Sequence, residues 1–150
     1  MVQALRLATT ADLPAIERIV QAAYTPYVAR IGRKPGPMLD DYAALVRAGH
    51  LFVIALDSDI QGILVLIPQD DAMLLDNIAV APAAQGQGLG RRLLQIAERR
   101  AREAACRRIR LYTNEAMTEN IALYTRCGYA ETHRAEEMGL RRVYMEKDLA

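Results

Sequence analysis

The chain has 150 residues, enough for a sizeable core, and we expect residues 1–150 to form one domain. Hydrophobic residues make up 52% of the chain and charged residues 25%, which excludes intrinsic disorder. The net charge of +1 argues against a nucleic-acid or membrane-surface binder, although residues 85–110 hold eight arginines and only two glutamates.

Several further classes of protein are disfavoured by individual residues. Cys106 and Cys127 do not form a CxxC motif, and His50 and His133 are isolated, so we expect no metal site. Apolar runs stay below the ~18–20 residues that span a bilayer, and the first residues do not resemble a signal peptide. We therefore expect a cytoplasmic protein without a membrane partner.

The first half of the chain predicts a strand, two helices and three further strands. Alternating residues predict a strand over 3–9, and helical spacing from Leu13 to Ala23 predicts a helix capped by Thr10 that ends near Pro26. A loop rich in glycine and proline follows over 30–37. The remaining predicted elements are a short helix over 39–48 and strands over 51–56, 60–67 and 73–80.

In the second half, helices alternate with strands. A glycine-rich loop leads directly into a long amphipathic helix that carries most of the arginines. A strand over 109–113, a helix over 116–127 and closing strands over 129–134 and 142–148 follow. The order βααβββαβαββ predicts an α/β (α+β) fold with a mixed, mostly antiparallel sheet flanked by helices, rather than a doubly wound parallel sheet.

The segment Gln85-Gly-Gln-Gly-Leu-Gly90 stands between a predicted strand and a predicted helix. Glycines allow a ligand to approach the backbone closely, and the first turn of a helix offers unpaired N–H groups, so the loop suits a phosphate. Arg91 stands where a dinucleotide fingerprint has its third glycine, and no Gly-Lys-Ser/Thr follows. A glycine-rich connection without a ligand is the alternative.

Two sequence blocks resemble the GNAT superfamily of N-acetyltransferases. Ile78-Ala-Val-Ala-Pro82 followed by Gln85-x-x-Gly88-x-Gly90 is similar to the family's acetyl-CoA signature, and Leu123-Tyr124-x-x-x-Gly128-Tyr129 is similar to its second motif. The resemblance implies transfer of an acetyl group from acetyl-CoA to a primary amine of a small molecule or peptide, by direct attack of the amine on the thioester. It also implies the GNAT-like fold over nearly the whole chain.

The resemblance assigns the cofactor site to two segments and one helix. The backbone of Ile78 and Val80 would bind the pantetheine arm as an added strand does, and the loop amides would hold the pyrophosphate. Gln85 would position the loop. The implied cofactor-binding residues are Ile78, Ala79, Val80, Gln85, Gly86, Gln87, Gly88, Leu89, Gly90, Arg91, Asn120 and Tyr124.

Tyr124 matches the family tyrosine near the cofactor sulfur, where a phenol gives a proton to the leaving thiolate; the alternative is an ordinary core aromatic. Asp76, on the strand that ends at Val80, is the candidate general base, and a structural carboxylate is the alternative.

Many family members have an asparagine seven residues before the tyrosine, but this chain has Met117 there. The cofactor contact of Asn120 is therefore open, and Asn114 serves equally well as a helix cap.

The resemblance implies that the acceptor amine is chosen by the segment between the first two helices and by the last strands, and Tyr24, Tyr27, Arg30 and Arg33 are the candidate binding residues. Tyrosines line pockets for aliphatic amines, and an arginine pairs with a substrate carboxylate, so an amino acid fits better than a polyamine. A protein N-terminus or a lysine side chain is also open as the acceptor.

A non-catalytic acyl-CoA-binding module is the alternative function. A homodimer is the commonest assembly for such a chain.

Overall fold

A computed structural model describes residues 3–149 of the chain and has the predicted order of elements, βααβββαβαββ. The strands are β1 (Gln3–Leu7), β2 (Leu51–Leu56), β3 (Asp59–Gln69), β4 (Ala72–Val80), β5 (Arg108–Asn114), β6 (Ala130–Glu137) and β7 (Leu140–Asp148). The helices are α1 (Leu13–Ile31), α2 (Tyr42–Arg47), α3 (Leu89–Glu103) and α4 (Thr118–Arg126), with short 3₁₀ turns before α1, α2 and α3.

All seven described strands form one sheet in the order β1-β2-β3-β4-β5-β7-β6. Every neighbouring pair is antiparallel except β4 and β5, which are parallel and are connected through α3. A parallel pair needs such a crossover, whereas antiparallel neighbours can follow one another through short turns. The predicted mixed, mostly antiparallel sheet flanked by helices is confirmed.

Hydrophobic cores cover both faces of the sheet. On one face, α1 and α2 pack over a cluster that includes the fully buried side chains of Ile16, Val53 and Val65. On the other face, α3 packs over a cluster that includes Leu93 and Leu111, and α4 lies against its margin. The alternation of side chains along each strand therefore decides which functional groups share a face.

Helix α1 is longer than the sequence predicts. The prediction that it ends near Pro26 is wrong, because the helix continues to Ile31 and ends at Gly32, whose φ is +85°. Pro26 lies on the exposed side, while Tyr24 on the buried side continues the apolar stripe that holds the helix on the sheet. The packing of that stripe outweighs the hydrogen bond that a proline cannot make.

The entry to α1 also differs from the prediction. Thr9, and not Thr10, caps the 3₁₀ turn that precedes α1, and Asp12 completes a capping box with it. The Asp12 carboxylate accepts from the Thr9 N–H at 2.8 Å and from both terminal nitrogens of Arg6, at 2.7 and 2.9 Å. The Arg6 hydrogen bonds, with those of Thr9, lower the pKa of Asp12 to about 2.

Replacing Asp12 by Asn is expected to lower the free energy of unfolding by about 1–2 kcal/mol at neutral pH, since the charge and one of the two acceptor oxygens that bind Arg6 and Thr9 are lost. A carboxyl with a lowered pKa stabilises the fold above its unfolded pKa, and that stabilisation is lost as the pH falls through about 2. Urea unfolding between pH 7 and 2 should therefore show the two proteins converging below about pH 4. An unchanged stability at pH 7 would contradict the role of Asp12, and Asp70→Asn, in an exposed turn, is the control.

Within residues 3–149, no helix has the length and apolar character needed to cross a membrane.

The glycine- and proline-rich segment between α1 and α2 starts at Gly32, later than predicted, and contains a 3₁₀ turn at Gly36–Met38. We call residues 32–41 the acceptor loop, because the sequence places acceptor binding there.

Candidate active site

Strands β4 and β5 separate partway along their length. Their parallel pairing covers Ala72 to Leu75 on β4 and Arg108 to Leu111 on β5. Beyond Leu75, β4 continues to Val80 paired only with β3 among the described strands. The two strands therefore diverge, and the last five residues of β4 have one open edge.

The open edge exposes the polar backbone groups of Ile78 and Val80. Antiparallel pairing alternates along a strand, and the Ala81 N–H donates to the Gln61 carbonyl of the β3 side at 2.8 Å. Ile78 and Val80 consequently direct their N–H and C=O groups into the gap. Side chains approach both carbonyls there: the Tyr24 hydroxyl oxygen lies 3.1 Å from the Ile78 oxygen, and Gln85 Nε2 donates to the Val80 oxygen at 3.2 Å.

A β-bulge in β4 places Asp76 at the fork between the strands. Val65 of β3 pairs with Asn77 and Leu66 pairs with Leu75, so Asp76 is an extra residue without a partner on β3. The bulge also reverses the alternation of faces, because Leu75 packs in the core under α3, while Ala79 packs in the core under α1. Without the bulge these two side chains would share a face.

The loop at residues 85–90 forms a backbone cradle at the start of α3. Gly86 and Gly88 have φ of +80° and +77°, a region that favours glycine. No atom lies within 4 Å of the position that a Cβ would take at Gly86, Gly88 or Gly90, so the space above these backbone atoms is open. The fifteen-residue helix α3 directs its unpaired N–H groups and its positive dipole end to this space. The Gln85 side chain ties the loop to the end of β4.

A cleft opens at the fork, and residues from distant parts of the chain line it. Its lining holds one acidic and one basic residue, Asp76 and Arg142, among tyrosines, asparagines and apolar side chains. The lining residues are Tyr24, Pro35, Gly36, Pro37, Leu75, Asp76, Asn77, Ile78, Tyr112, Thr113, Asn114, Met117, Asn120, Tyr124, Leu140 and Arg142. Among residues 3–149, no group of three or more His, Cys, Asp or Glu side chains is arranged to hold a metal ion.

Tyr124 of α4 lines this cleft together with Tyr24 of α1. Within residues 3–149, the Tyr124 hydroxyl has no hydrogen-bond partner, and its ring lies 5.9 Å from that of Tyr129. Burial, assisted by the neighbouring Tyr27 and Cys127, raises the pKa of Tyr124 to about 12. The phenol is therefore protonated at neutral pH, with its proton available to a bound molecule.

Asp76 lies in a network of charged and polar side chains. Burial raises the pKa of its carboxyl group, whereas the Tyr112 hydroxyl, which donates to Asp76 Oδ1 at 3.1 Å, and the charge of Arg142 lower it. Asp40 of the acceptor loop has its pKa raised to about 6 by desolvation of its carboxyl group and by the charge of Asp76. Asp76 is therefore a carboxylate of raised basicity in the cleft.

A buried chain of hydrogen bonds connects α1, β4 and the acceptor loop. The Tyr24 hydroxyl donates to Asn77 Oδ1, and Asn77 Nδ2 donates to the Tyr42 hydroxyl at 3.0 Å. Tyr42 in turn donates to the Pro37 carbonyl. Both polar atoms of the buried Asn77 are thus satisfied, and the chain fixes the acceptor loop against the strand that carries Asp76.

The four predicted acceptor residues are not brought together. Tyr24 lines the cleft, but Tyr27, Arg30 and Arg33 do not. Tyr27 donates to Glu119 of α4 at 3.3 Å, and Arg30 forms a 2.7 Å ion pair with the same carboxylate. Arg33 is exposed and lies against Gly139 in the β6–β7 turn. The acceptor roles of these residues remain predictions, with Tyr24 in the favourable position.

The start of α4 brings the asparagines into the cleft. Asn114 is buried at the end of β5, and its Oδ1 accepts from the Ala116 N–H at 2.9 Å, whereas the N-cap position of α4 is Met117, so Asn114 does not cap the helix. Asn120 lines the cleft and has its Nδ2 3.7 Å from the sulfur of Met117. Met117 itself is buried, so an apolar side chain occupies the place of the asparagine that many family members have.

The arginines of the basic segment are divided among several surroundings. Arg91 is exposed at the start of α3, next to the glycine cradle. Arg108 and Arg110 of β5 both pair with Glu146 of β7, at 3.5 and 3.0 Å. Arg100 lies over the ring of Phe52 at 4.5 Å. The dense positive charge in the sequence is thus spread over two faces of the sheet.

Sequence reasoning missed Tyr112, Asn77, Asp40 and Arg142. The sequence places Tyr112 within a predicted strand and Arg142 at the start of another, and no local pattern marks either residue as functional. Their importance follows from the strand register. Tyr112 pairs with Tyr144, and Arg142 lies two residues before Tyr144 on the same strand, so Arg142 and Tyr112 lie on the same side of the sheet. A signal for Asn77 was present, since a polar residue beside Asp76 interrupts an otherwise apolar strand.

The chain is similar to known acetyltransferases in sequence and in structure. The profile of the acetyltransferase (GNAT) family matches residues 13–129. The uncharacterized N-acetyltransferase YjgM of Escherichia coli K12 is 28% identical over 134 residues, which cover 83% of this chain and 80% of that protein.

Two solved structures show the same fold. The ribosomal-protein-S18-alanine N-acetyltransferase of Escherichia coli matches 99% of this chain and 95% of its own, with a TM-score of 0.80 and 21% identity. The PaiA N-acetyltransferase of Thermoplasma acidophilum, solved in complex with coenzyme A, matches 99% of both chains, with a TM-score of 0.75 and 16% identity. The family profile covers most of the chain, and this protein therefore belongs to the acetyltransferase (GNAT) family.

Proposed function

We propose that the protein transfers the acetyl group of acetyl-CoA to a primary amine of a small molecule or peptide that binds in the cleft at the fork of β4 and β5. One observation carries the proposal. The open edge of β4 borders the cleft that Tyr124 lines, and the end of the same strand is joined through Gln85 to the glycine cradle of α3, so this edge would lead from a phosphate site to the place where a thioester and an amine meet.

The residues present fit acetyl-CoA. The N–H groups of Ile78 and Val80 on the open edge suit an extended amide-containing chain, as an added strand would. The open space above Gly86, Gly88 and Gly90 suits a pyrophosphate bound by backbone N–H groups. Bound acetyl-CoA supplies an activated acetyl group in the form of a thioester. The GNAT membership and the coenzyme A complex of a structural neighbour support this cofactor.

Two side chains of the cleft would handle the protons of the reaction. Asp76 Oδ atoms would accept a proton from the ammonium form of the acceptor, directly or through a water, because only a neutral amine is nucleophilic. The Tyr124 hydroxyl would hold a proton where negative charge develops on sulfur. Tyr112, which donates to Asp76 Oδ1, would orient that carboxylate. The acceptor loop would shield the fork from water.

The activity is tested by release of free thiol from acetyl-CoA in the presence of a panel of primary amines, with mass spectrometry of the acetylated product. The panel should contain amino acids, amino acid amides, diamines and short peptides. Turnover with at least one amine is the expected result. Tight binding of coenzyme A without turnover on any amine would contradict the enzyme assignment and favour a non-catalytic acyl-CoA-binding module.

Replacing Asp76 by Asn is expected to lower kcat/KM by about 10²-fold or more, because the base is lost. A carboxyl group accepts a proton only above its own pKa, and burial raises the pKa of Asp76. The kcat/KM of the wild type should therefore fall on the acidic side as the pH decreases through that raised pKa. In Asp76→Asn this acidic limb should be absent, and pH–rate profiles from pH 5 to 9 measure it.

Asp40→Asn is the matched control for this prediction. Asp40 is a neighbouring carboxyl whose pKa of about 6 is also raised, but it does not line the cleft. The control should retain most of the turnover and keep an acidic limb. Disappearance of the limb in Asp40→Asn, with Asp76→Asn unaffected, would assign the base to the acceptor loop and overturn the role of Asp76.

A further inference from the structure

Among the described residues that line the cleft, Arg142 of β7 is the single cation. Its side chain is only 16% exposed. The guanidinium carbon lies 4.3 Å from the centroid of the Tyr112 ring, while the hydroxyl of the same tyrosine donates to Asp76. The guanidinium therefore lies over the face of the same phenol ring whose hydroxyl binds the carboxylate.

The counter-ion of Arg142 lies outside the cleft. Arg142 Nη1 donates to Glu137 Oε2 at 2.8 Å, and the Tyr144 hydroxyl interacts with both residues. Neither Glu137 nor Tyr144 lines the cleft, and the Glu137 side chain is 47% exposed. A guanidinium carries five N–H donors, and this ion pair uses one. Glu137, outside the cleft, therefore fixes the Arg142 side chain, and Arg142 itself still lines the cleft.

The acceptor loop forms the wall beside the guanidinium. A Cβ at Gly36 would lie 3.6 Å from Arg142 Nη2, so this end of the side chain faces the loop backbone. Pro35 and Pro37, which flank Gly36 in the sequence, and Leu140 belong to the same lining. The site therefore combines one cation, one anion and an apolar wall in a small volume.

We propose that the amine acceptor is a free α-amino acid with an apolar side chain, whose carboxylate binds Arg142 while its amino group faces Asp76. This inference rests on the proposed function and names the acceptor of the same site. An α-amino acid carries its ammonium and carboxylate groups on one carbon. These charges complement Asp76 and Arg142, which both contact Tyr112. Arginine suits the task because its planar group binds a carboxylate bidentately.

Other amines fit the charges of the cleft less well. A diamine would place its second cation near Arg142, where like charges repel. The N-terminus of a peptide offers an amine next to a neutral carbonyl group, which leaves the guanidinium without a charged partner. Arg142 of β7 would therefore bind the acceptor carboxylate in place of Arg30 or Arg33, which do not line the cleft.

The test compares L-leucine and L-phenylalanine with their amides, with the corresponding decarboxylated amines and with 1,4-diaminobutane, using thiol release from acetyl-CoA. For the wild type, kcat/KM for the acids should exceed that for the amides and amines by at least about 30-fold. The difference should lie mainly in KM. Equal or faster turnover of the amides, the decarboxylated amines or the diamine overturns the acceptor class and leaves the acetyltransferase activity standing.

Arg142→Gln should lower kcat/KM for the acids to the level of their amides, and Arg142→Lys should retain part of the preference, since a lysine keeps the charge but not the planar fork. Arg141→Gln is the matched control, because Arg141 is exposed on the adjacent position and pairs with Glu115. This control should keep the wild-type preference. Thermal melts verify the fold of each variant, and the wild-type comparison holds even where a variant fails to fold.

A binding measurement separates this inference from the proposed activity. L-leucine and L-phenylalanine are titrated calorimetrically into the protein saturated with coenzyme A, beside their amides. Binding that requires the carboxylate and is lost in Arg142→Gln, without turnover of any amine, supports the acceptor site and refutes the enzyme. Absence of both binding and turnover of the two acids overturns the inference.

Discussion

Tyr124→Phe is expected to lower kcat by about 10²-fold or more while the affinity for coenzyme A changes by less than about threefold. The substitution removes only the hydroxyl of a residue that lines the cleft, and this hydroxyl has no hydrogen-bond partner within residues 3–149. Ring packing against Tyr129 is retained. The substitution therefore removes proton donation, which is needed in the transition state and not in cofactor binding, so kcat decreases and the affinity for coenzyme A does not.

The pH dependence of this loss is a second readout. A pKa of about 12 keeps the Tyr124 phenol protonated throughout the range in which the enzyme can be assayed. The factor by which Tyr124→Phe lowers kcat should therefore be the same from pH 6 to pH 9. A factor that disappears towards higher pH would mean that the hydroxyl acts with a pKa inside this range.

Tyr129→Phe is the matched control, since it deletes a hydroxyl from the neighbouring ring, which does not line the cleft. The Tyr129 hydroxyl donates to the buried Glu98 at 3.1 Å, so its loss should lower stability and leave kcat near the wild-type value. An unchanged kcat in Tyr124→Phe would remove the acid role, and an equal loss in both variants would point to a shared structural cause.

Gly88→Ala is expected to weaken coenzyme A binding by about tenfold or more. Gly88 stands at the start of α3 with φ of +77°, and no atom lies within 4 Å of its missing Cβ. An alanine there meets no protein atom but places a methyl group in the space above the loop amides, where a phosphate would approach them. Calorimetric titration with coenzyme A measures the effect.

The strain of a side chain at positive φ is separated from this effect by Gly49→Ala. Gly49 has φ of +74° and is equally open, and it lies after α2, away from the glycine loop. Both variants should lose similar stability, about 1–2 kcal/mol. Only Gly88→Ala should lose coenzyme A affinity, and equal affinities in the two variants would contradict a phosphate site at the loop.

Local patterns in the sequence predicted the parts of the site that local structure builds. The glycines before α3 and the Leu123–Tyr129 motif each lie within one loop or helix, so neighbours along the chain determine their geometry. The strand 51–56 was predicted with its observed bounds, because a buried apolar run between turn residues is typical of such a strand. These predictions need no knowledge of distant contacts.

Apart from the cap of α1, where Thr9 and not Thr10 pairs with Asp12, the failed or incomplete predictions depend on distant contacts. Helix α1 continues through Pro26 because Tyr24 packs onto the sheet and reaches Asn77, 53 residues away. Arg30 was a candidate for a substrate carboxylate, but its charge is paired with Glu119, 89 residues further along the chain. Neither partner can be chosen from spacing, because many acidic and polar residues would serve equally well.

The sequence by itself determined the order of the elements, the mixed sheet, the glycine cradle and the tyrosine motif, since periodicity, turn residues and short motifs specify local conformation. The tertiary structure alone decided the bulge that presents Asp76 and the register that places Tyr112 and Arg142 on the same face. A shift of one residue in a strand moves every side chain to the other face, and only the packing of both cores fixes that choice.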